Sequence, residues 1–216
     1  DALRTGILQA VSHDLRTPLA GIKASVTSLM STDVTFDADV TREFLRTIDT
    51  EVDRLDRVVG NLLDMGRLQA GALSVLRRPT ALEEVVSAAL GHLDLLPEQV
   101  QVTVPETLPL VDVDGALLER AVANVVANAV AVQPDGVPVR IQASAIHSGD
   151  EERVALQVVD HGPGLPSDAR EKVFEPFQRL GDRSTQAGVG LGLAIAQGFT
   201  AAVGGELTLD DTPGGG

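Results

Sequence analysis

The sequence predicts an all-α helical hairpin followed by an α/β sandwich, and three observations carry that expectation. Apolar residues recur at three- and four-residue steps along two long runs that end near Leu68. After Gly71 the pattern changes to short alternating runs interleaved with helical ones. Glycine-rich turns then follow the strongest strand and precede the last helix. The boundary this implies divides residues 1–71 from 72–216.

Leu3, Ile7, Ala10/Val11, Leu15, Leu19, Ile22, Val26 and Leu29 form the stripe of a first amphipathic helix. Ser31-Thr32-Asp33 interrupts it. A second stripe runs from Val40 through Phe44, Ile48, Val52, Leu55, Val58/Val59, Leu62/Leu63 and Met65 to Leu68, with Gly71 as its stop signal. A hairpin of two such helices has too little mass to bury both stripes. Pairing two copies into a four-helix bundle solves this, which predicts a homodimer; packing on the second domain within one chain is the alternative.

In the remainder, Leu73–Arg77 alternates like a short strand, and Pro79-Thr80 leads into a helix from about Leu82 to Leu90. Val100–Val104 and Leu108–Val113 read as strands. Asp114 or Gly115 opens an apolar helix reaching about Val130, and Gln133-Pro134-Asp135-Gly136 is a turn. Val137–Ala145 and Arg153–Val159 are expected to pair as a hairpin around His147–Asp150. A last helix from Leu191 to Val203 precedes a strand at Glu206–Leu209. One mixed sheet covered by helices accommodates this order.

Composition excludes several functions. The formal charge of -14 over 216 residues argues against nucleic acid or an anionic membrane surface as partner. There is no cysteine, hence no disulfide framework or thiolate metal site. His13, His92, His147 and His161 lie far apart and form no zinc-binding pattern. No apolar run is expected to reach membrane-spanning length, and the chain reads as a piece of something longer.

Candidate chemistry lies in a few stretches. His13 stands beside Asp14, which can orient the imidazole or take its proton, and Thr17 shares its helix face one turn on. Pro18 denies a hydrogen bond to the Asp14 carbonyl and is expected to bend the helix. Asn124 and Asn128 share a face, either as ordinary helix asparagines or as amide ligands for phosphate-bound Mg²⁺. Asp160-His161-Gly162-Pro163-Gly164 follows a strand, where glycines permit close approach of a nucleotide and Asp160 can accept from an adenine amino group. Gly188-Val189-Gly190-Leu191-Gly192-Leu193 leads into a helix and offers amide hydrogens to an anion. It is neither a P-loop nor a dinucleotide fingerprint. Arg170–Ala187 between them has the composition of a mobile lid.

His13-Asp14-Leu15-Arg16-Thr17-Pro18-Leu19 resembles the H-box of the sensor histidine kinases. Asn124–Ala129 is similar to their N-box, Asp160–Gly164 to the first glycine box, Val173-Phe174-Glu175-Pro176-Phe177 to the F-box and Gly188–Leu193 to the second glycine box, all in family order. The wording of Ser12–Leu29, Arg54–Met65, Phe177–Arg183 and Thr212–Gly216 resembles the potassium-sensing Kdp branch in its actinobacterial form.

The resemblance implies a dimerisation and phosphoacceptor hairpin, then an ATP-binding domain of the GHKL (Bergerat) type. It implies that His13 takes the γ-phosphoryl group of ATP, that Asp14 assists its deprotonation, and that Thr17 helps remove phosphate from a response regulator of the Kdp type. Asn128 would hold Mg²⁺ with Asn124 near the phosphates. Asp160, Gly162 and Gly164 would surround adenine; Phe177 belongs to the nucleotide site, and Gly188, Gly190, Leu191 and Gly192 would line the phosphates. Such a fragment would be the cytoplasmic portion of a membrane-anchored sensor, without membrane contact of its own. One departure matters: Ala131, Val132 and Gln133 replace the family's basic residue, its aromatic or histidine and its Ser/Thr. Losing stacking, on the order of 1 kcal/mol, and one charge implies weakened ATP affinity. Arg179, Arg183 or Lys172 are the candidates for compensation. The rival reading is an ATP-weak pseudokinase acting as a dimeric scaffold or regulator phosphatase.

Overall fold

The computed structural model describes residues 2–93, 95–148, 151–166, 169–170, 172–178 and 190–212. Two long helices come first, α1 (Ala2–Leu29) and α2 (Ala38–Gln69). Asp37 caps α2 by accepting from the amides of Asp39 at 3.0 Å and Val40 at 2.8 Å. Beside it, Phe36 meets Phe44 edge-on with centroids 5.2 Å apart. α1 continues without a break through Pro18, whose ring is fully buried. The Thr17 hydroxyl donates to the His13 carbonyl at 3.2 Å on the same turn.

The second half contains β1 (Arg78–Thr80), α3 (Leu82–Gly91), β2 (Val100–Thr103), β3 (Val111–Val113), α4 (Gly115–Val132), β4 (Val139–Ser148), β5 (Glu151–Val159) and α5 (Gly192–Ala202). β1 and β3 form an antiparallel ribbon. The main sheet has order β2-β4-β5, with β2 parallel to β4 and β4 antiparallel to β5 from Arg140↔Val159 onward. Val85, Val86 and Ala89 of α3, Val122 and Val126 of α4, and Ile141 of β4 make one core.

Two expected strands are absent from the described residues. Leu73–Arg77 is irregular because the Leu76 amide donates to the Asp114 carboxylate at 2.8 Å instead of to a ladder. Pairing starts at Arg78–Thr80, in a two-stranded ribbon whose edge tolerates Pro79. Glu206–Leu209 likewise forms no strand: β5 is hydrogen-bonded only to β4, so the alternating run has no ladder to join. The third strand is shorter than its apolar run, starting only at Val111, after Pro109.

α4 also corrects an expectation. Its 18 residues have a mean hydropathy of 1.3, enough by length and composition to cross a membrane. It is instead a core helix, with Ala121, Val122, Val126 and Ala129 buried and Glu119 and Arg120 in its sequence.

The hairpin packs partly on the second half of its own chain. Val58 and Met65 of α2 share a core with Ala121 of α4 and with Leu191, Ala194, Ile195, Ala196 and Phe199 around α5. Leu19, Val26, Leu45, Val52, Val59 and Leu63 stay exposed on the hairpin. The intrachain contact therefore covers only part of the stripes.

Candidate active site

The His13 imidazole projects from α1 with 75% of its side chain exposed, whereas the Asp14 side chain is 8% exposed. Asp14 Oδ1 lies 3.2 Å from His13 Nδ1. When the carboxylate accepts from Nδ1–H, the lone pair is on Nε2, the outer nitrogen of the ring. Val11 and Leu15, on either side of His13, pack against the core that contains Ala121 and Leu191. The His13 turn is thus flanked by residues packed on the core that Leu191, just before α5, belongs to.

The other candidates converge on α4 and the entry to α5. Asn124, Asn128, Asp160, Gly164, Gly190, Leu191 and Gly192 line one cavity of about 2240 Å³, larger than a single nucleotide needs. Asn124 Nδ2 donates to the Arg120 carbonyl at 3.0 Å, and its Oδ1 lies 3.4 Å from where a Cβ on Gly192 would be. α5 has no side-chain N-cap and no acidic residue in its first turn. Its leading amides therefore suit an anion.

The turn after β5 is held from two sides. Asp160 Oδ1 accepts from the Gly162 amide at 2.8 Å. A Cβ on Gly162 would come within 2.8 Å of Val132 Cγ2, so Gly162 packs against the end of α4 and is not among the residues facing the cavity. Phe177 does not line the cavity either; it packs on the α2–α5 core, with a left-handed φ of 67°, and its amide donates to the Gly190 carbonyl at 2.9 Å. Gly188, Arg179, Arg183 and most of the lid segment lie outside the described residues, while Lys172 is exposed.

Gln133, which the sequence marked only as a departure, has a positioning role. Its Oε1 accepts from the His161 amide at 2.8 Å, and its Nε2 donates to the Pro138 carbonyl at 3.1 Å. The end of α4, the start of β4 and the Asp160 turn are thereby tied together. Gln133→Ala removes both bonds, each worth about 1 kcal/mol. Several-fold weaker nucleotide binding with an intact fold is expected, checked by calorimetric titration; unchanged affinity would deny the clamp its role.

A buried ion pair joins the hairpin to α4. Asp64, 1% exposed on α2, is paired with Arg120, whose guanidinium carbon also sits 5.7 Å from the Phe199 ring centroid. Such a pair orients its helices more than it stabilises them. Burial pushes the Asp64 carboxyl above its ordinary 3.8, outweighing the opposing effects of Arg120 and Arg67. Its contribution to stability is therefore fully present below 3.8 and lost as pH rises through the raised folded value. Asp64→Asn is expected to gain melting temperature relative to the parent chain as pH climbs from below 3.8 to neutrality. Melting curves across that range check it, and a constant difference would contradict it.

Among the described residues no cluster of His, Cys, Asp or Glu is built to hold a metal. The exposed Asn128 amide, facing the cavity, fits a hard cation that arrives with phosphate.

Residues 3–71 match the model of the His Kinase A (phospho-acceptor) domain, and residues 113–216 that of the histidine kinase-, DNA gyrase B-, and HSP90-like ATPase. The structure of a mycobacterial sensor histidine kinase, MprB, is 32% identical, with 60% of this chain and 81% of that chain covered at a TM-score of 0.51. The chain belongs to the sensor histidine kinases. Its second half is thus an ATP-binding domain of the GHKL class, following a helical phosphoacceptor region. Sensor protein KdpD of Mycobacterium tuberculosis is 44% identical across 100% of this histidine kinase chain, which spans 25% of that relative's length. Full-length ShkA in complex with AMPPNP is 30% identical, with 91% of this chain and 41% of that chain covered at a TM-score of 0.59.

Proposed function

We propose that this chain is the phosphotransferring core of a two-component sensor, in which ATP phosphorylates His13 and the phosphoryl group passes to an aspartate of a response regulator. Residues 1–71 serve as the dimerising phosphoacceptor domain and residues 72–216 as the catalytic domain. The observation that carries this reading is the exposed imidazole paired with a buried carboxylate, on a hairpin packed against the entry to α5. Nε2 of His13 attacks the γ-phosphorus in line, the bond to the bridging oxygen breaks, and ADP leaves with that electron pair. The Nδ1 proton passes to Asp14 as the phosphoramidate forms. Asp160 holds the adenine amino group, and the Gly190–Gly192 entry to α5 receives the phosphates. Asn128 would hold a phosphate-bound Mg²⁺, which would supply charge neutralisation.

The exposed apolar residues Leu19, Val26, Val52 and Val59 support closure of a four-helix bundle with a second copy. Thr17, one turn after His13, assists water in dephosphorylating the regulator in this reading. Likeness to KdpD supports a Kdp-type regulator and a place on the cytoplasmic side of a membrane-anchored sensor. Titrating the chain with ATP and Mg²⁺ tests the reading. Saturable binding at or below millimolar nucleotide is expected; none in that range would leave only the scaffold or phosphatase role that Ala131 and Val132 suggest.

A further inference from the structure

The segment joining the hairpin to the second half, residues 70–77, is neither helix nor strand, yet it is fastened along its length. α2 ends in a closed turn. Gly71 has φ +60, its amide donates to the Leu68 carbonyl at 3.1 Å, and the Ala72 amide donates to the Arg67 carbonyl at 3.0 Å. Leu68 itself sits over Gly198 of α5, where a Cβ would come within 2.8 Å of both its methyl carbons. Leu73 packs on the core shared by α2 and α5. The Leu76 amide donates to Asp114 Oδ2 at 2.8 Å, although the Leu76 side chain is 77% exposed. Arg77 lies over Gly204, just past α5, with a guanidinium nitrogen 2.8 Å from where a Cβ would be. A tether that only links two domains needs none of these contacts.

Asp114 joins this connector to α4. Its Oδ1 caps the helix by accepting from the amides of Ala116 at 3.1 Å and Leu117 at 3.2 Å. A cap needs one oxygen, and asparagine supplies it as well as aspartate does. The second carboxylate oxygen takes the Leu76 amide, which the NH2 group of an asparagine cannot do. In its second turn α4 is held again, by the buried pair of Arg120 with Asp64 of α2. A helix held at one point can swivel about it; held at two, it keeps its direction relative to α2. Asn124 and Asn128 lie farther along this same helix.

We propose that Asp114 is a positioning residue for phosphoryl transfer. Its second oxygen locks the connector to α4, so that the hairpin carrying His13 and the helix carrying Asn124 and Asn128 turn as one body. The proposal rests on the phosphotransfer reading above. In that reading ATP binds to the second half of the chain alone, whereas delivery of its γ-phosphoryl group to His13 needs the two halves in a fixed relation. Loss of the fastening is therefore expected to act on transfer and not on affinity.

The test compares the rate of labelling by γ-labelled ATP at saturating nucleotide with calorimetric ATP affinity, both in the intact chain. Asp114→Asn, which keeps the cap, is expected to slow labelling roughly 5- to 10-fold at unchanged affinity. Leu76→Pro removes the donor and leaves Asp114 in place. It is expected to give the same loss, and the double variant no more than either alone. Leu76→Ala, which keeps the amide, is expected to label at the parental rate. Hydrogen exchange reads the fastening without catalysis: the Leu76 amide is expected to exchange slowly in the parent chain and fast in Asp114→Asn. Fast exchange in the parent, parental labelling in Asp114→Asn, equal losses of rate and affinity, or losses that multiply in the double variant would overturn the proposal and leave the phosphotransfer reading standing. A parent chain that binds ATP and takes no label would overturn both.

Discussion

Gly190→Ala is expected to remove nucleotide binding while leaving the hairpin folded. Gly190 has φ +70, a left-handed conformation that costs an alanine about 1–2 kcal/mol. The added Cβ would also lie 2.5 Å from the Gln178 carbonyl oxygen and 3.0 Å from the Phe177 carbonyl carbon. Neither neighbour can yield easily, because both atoms are backbone and the Phe177 amide is bonded to the Gly190 carbonyl at 2.9 Å. Relieving the overlap must displace the chain just before Leu191 and Gly192, where α5 presents its free amides. The expected outcome is a loss of ATP affinity of at least roughly 10-fold, about 1.4 kcal/mol, with helical circular dichroism almost unchanged. Calorimetry suits the binding measurement because the chain has no tryptophan or tyrosine to report by fluorescence. Undiminished affinity would mean that the Phe177–Gly190 contact is unconnected to the phosphate end.

His13→Gln is expected to abolish transfer of label from γ-labelled ATP without weakening ATP binding. With 75% of its side chain exposed, the imidazole contributes little packing, so glutamine is accommodated on the helix surface. The candidate nucleotide residues among those described lie on α4, on the turn after β5 and at the start of α5, and His13 is bonded instead to Asp14 and Thr17. Labelling and titration of the same preparation check both halves of the expectation. Label retained by the variant would remove His13 from the mechanism; lost ATP affinity would place it in the nucleotide site instead.

Much of this arrangement is legible in the sequence. The hairpin follows from stripes that hold their helical period from Val11 to Leu29 and from Val40 to Leu68, and the capped helix over Gly115–Val132 follows from Asp114. The pairing of β4 with β5 follows from two alternating runs around a short polar connection. The convergence of Asn124, Asn128, Asp160 and Gly190–Gly192 on one cavity was expected from their order along the chain and their likeness to the family's boxes.

What escaped the sequence depends on partners distant along the chain. Leu73–Arg77 alternates like a strand, but Asp114, nearly forty residues on, takes the Leu76 amide. Glu206–Leu209 alternates as well, and among the described residues no sheet edge is bonded to it. Phe177 reads as a site residue, yet a left-handed backbone turns it onto the α2–α5 core. Gln133 reads in the sequence as a lost family residue, whereas its side-chain amide bridges His161 and Pro138. The Asp64–Arg120 pair and the Leu68–Gly198 contact place α2 against the catalytic helices, a relation that no periodicity within α2 encodes.

The most direct test of the central claim is to identify the residue that receives phosphate. The intact chain, incubated with γ-labelled ATP and Mg²⁺ and digested under alkaline conditions, is expected to yield a single labelled peptide. That peptide should contain His13, with a label stable to base and lost in acid, as a phosphoramidate requires. Label on another residue, or saturable ATP binding with no label on the chain, would contradict the account.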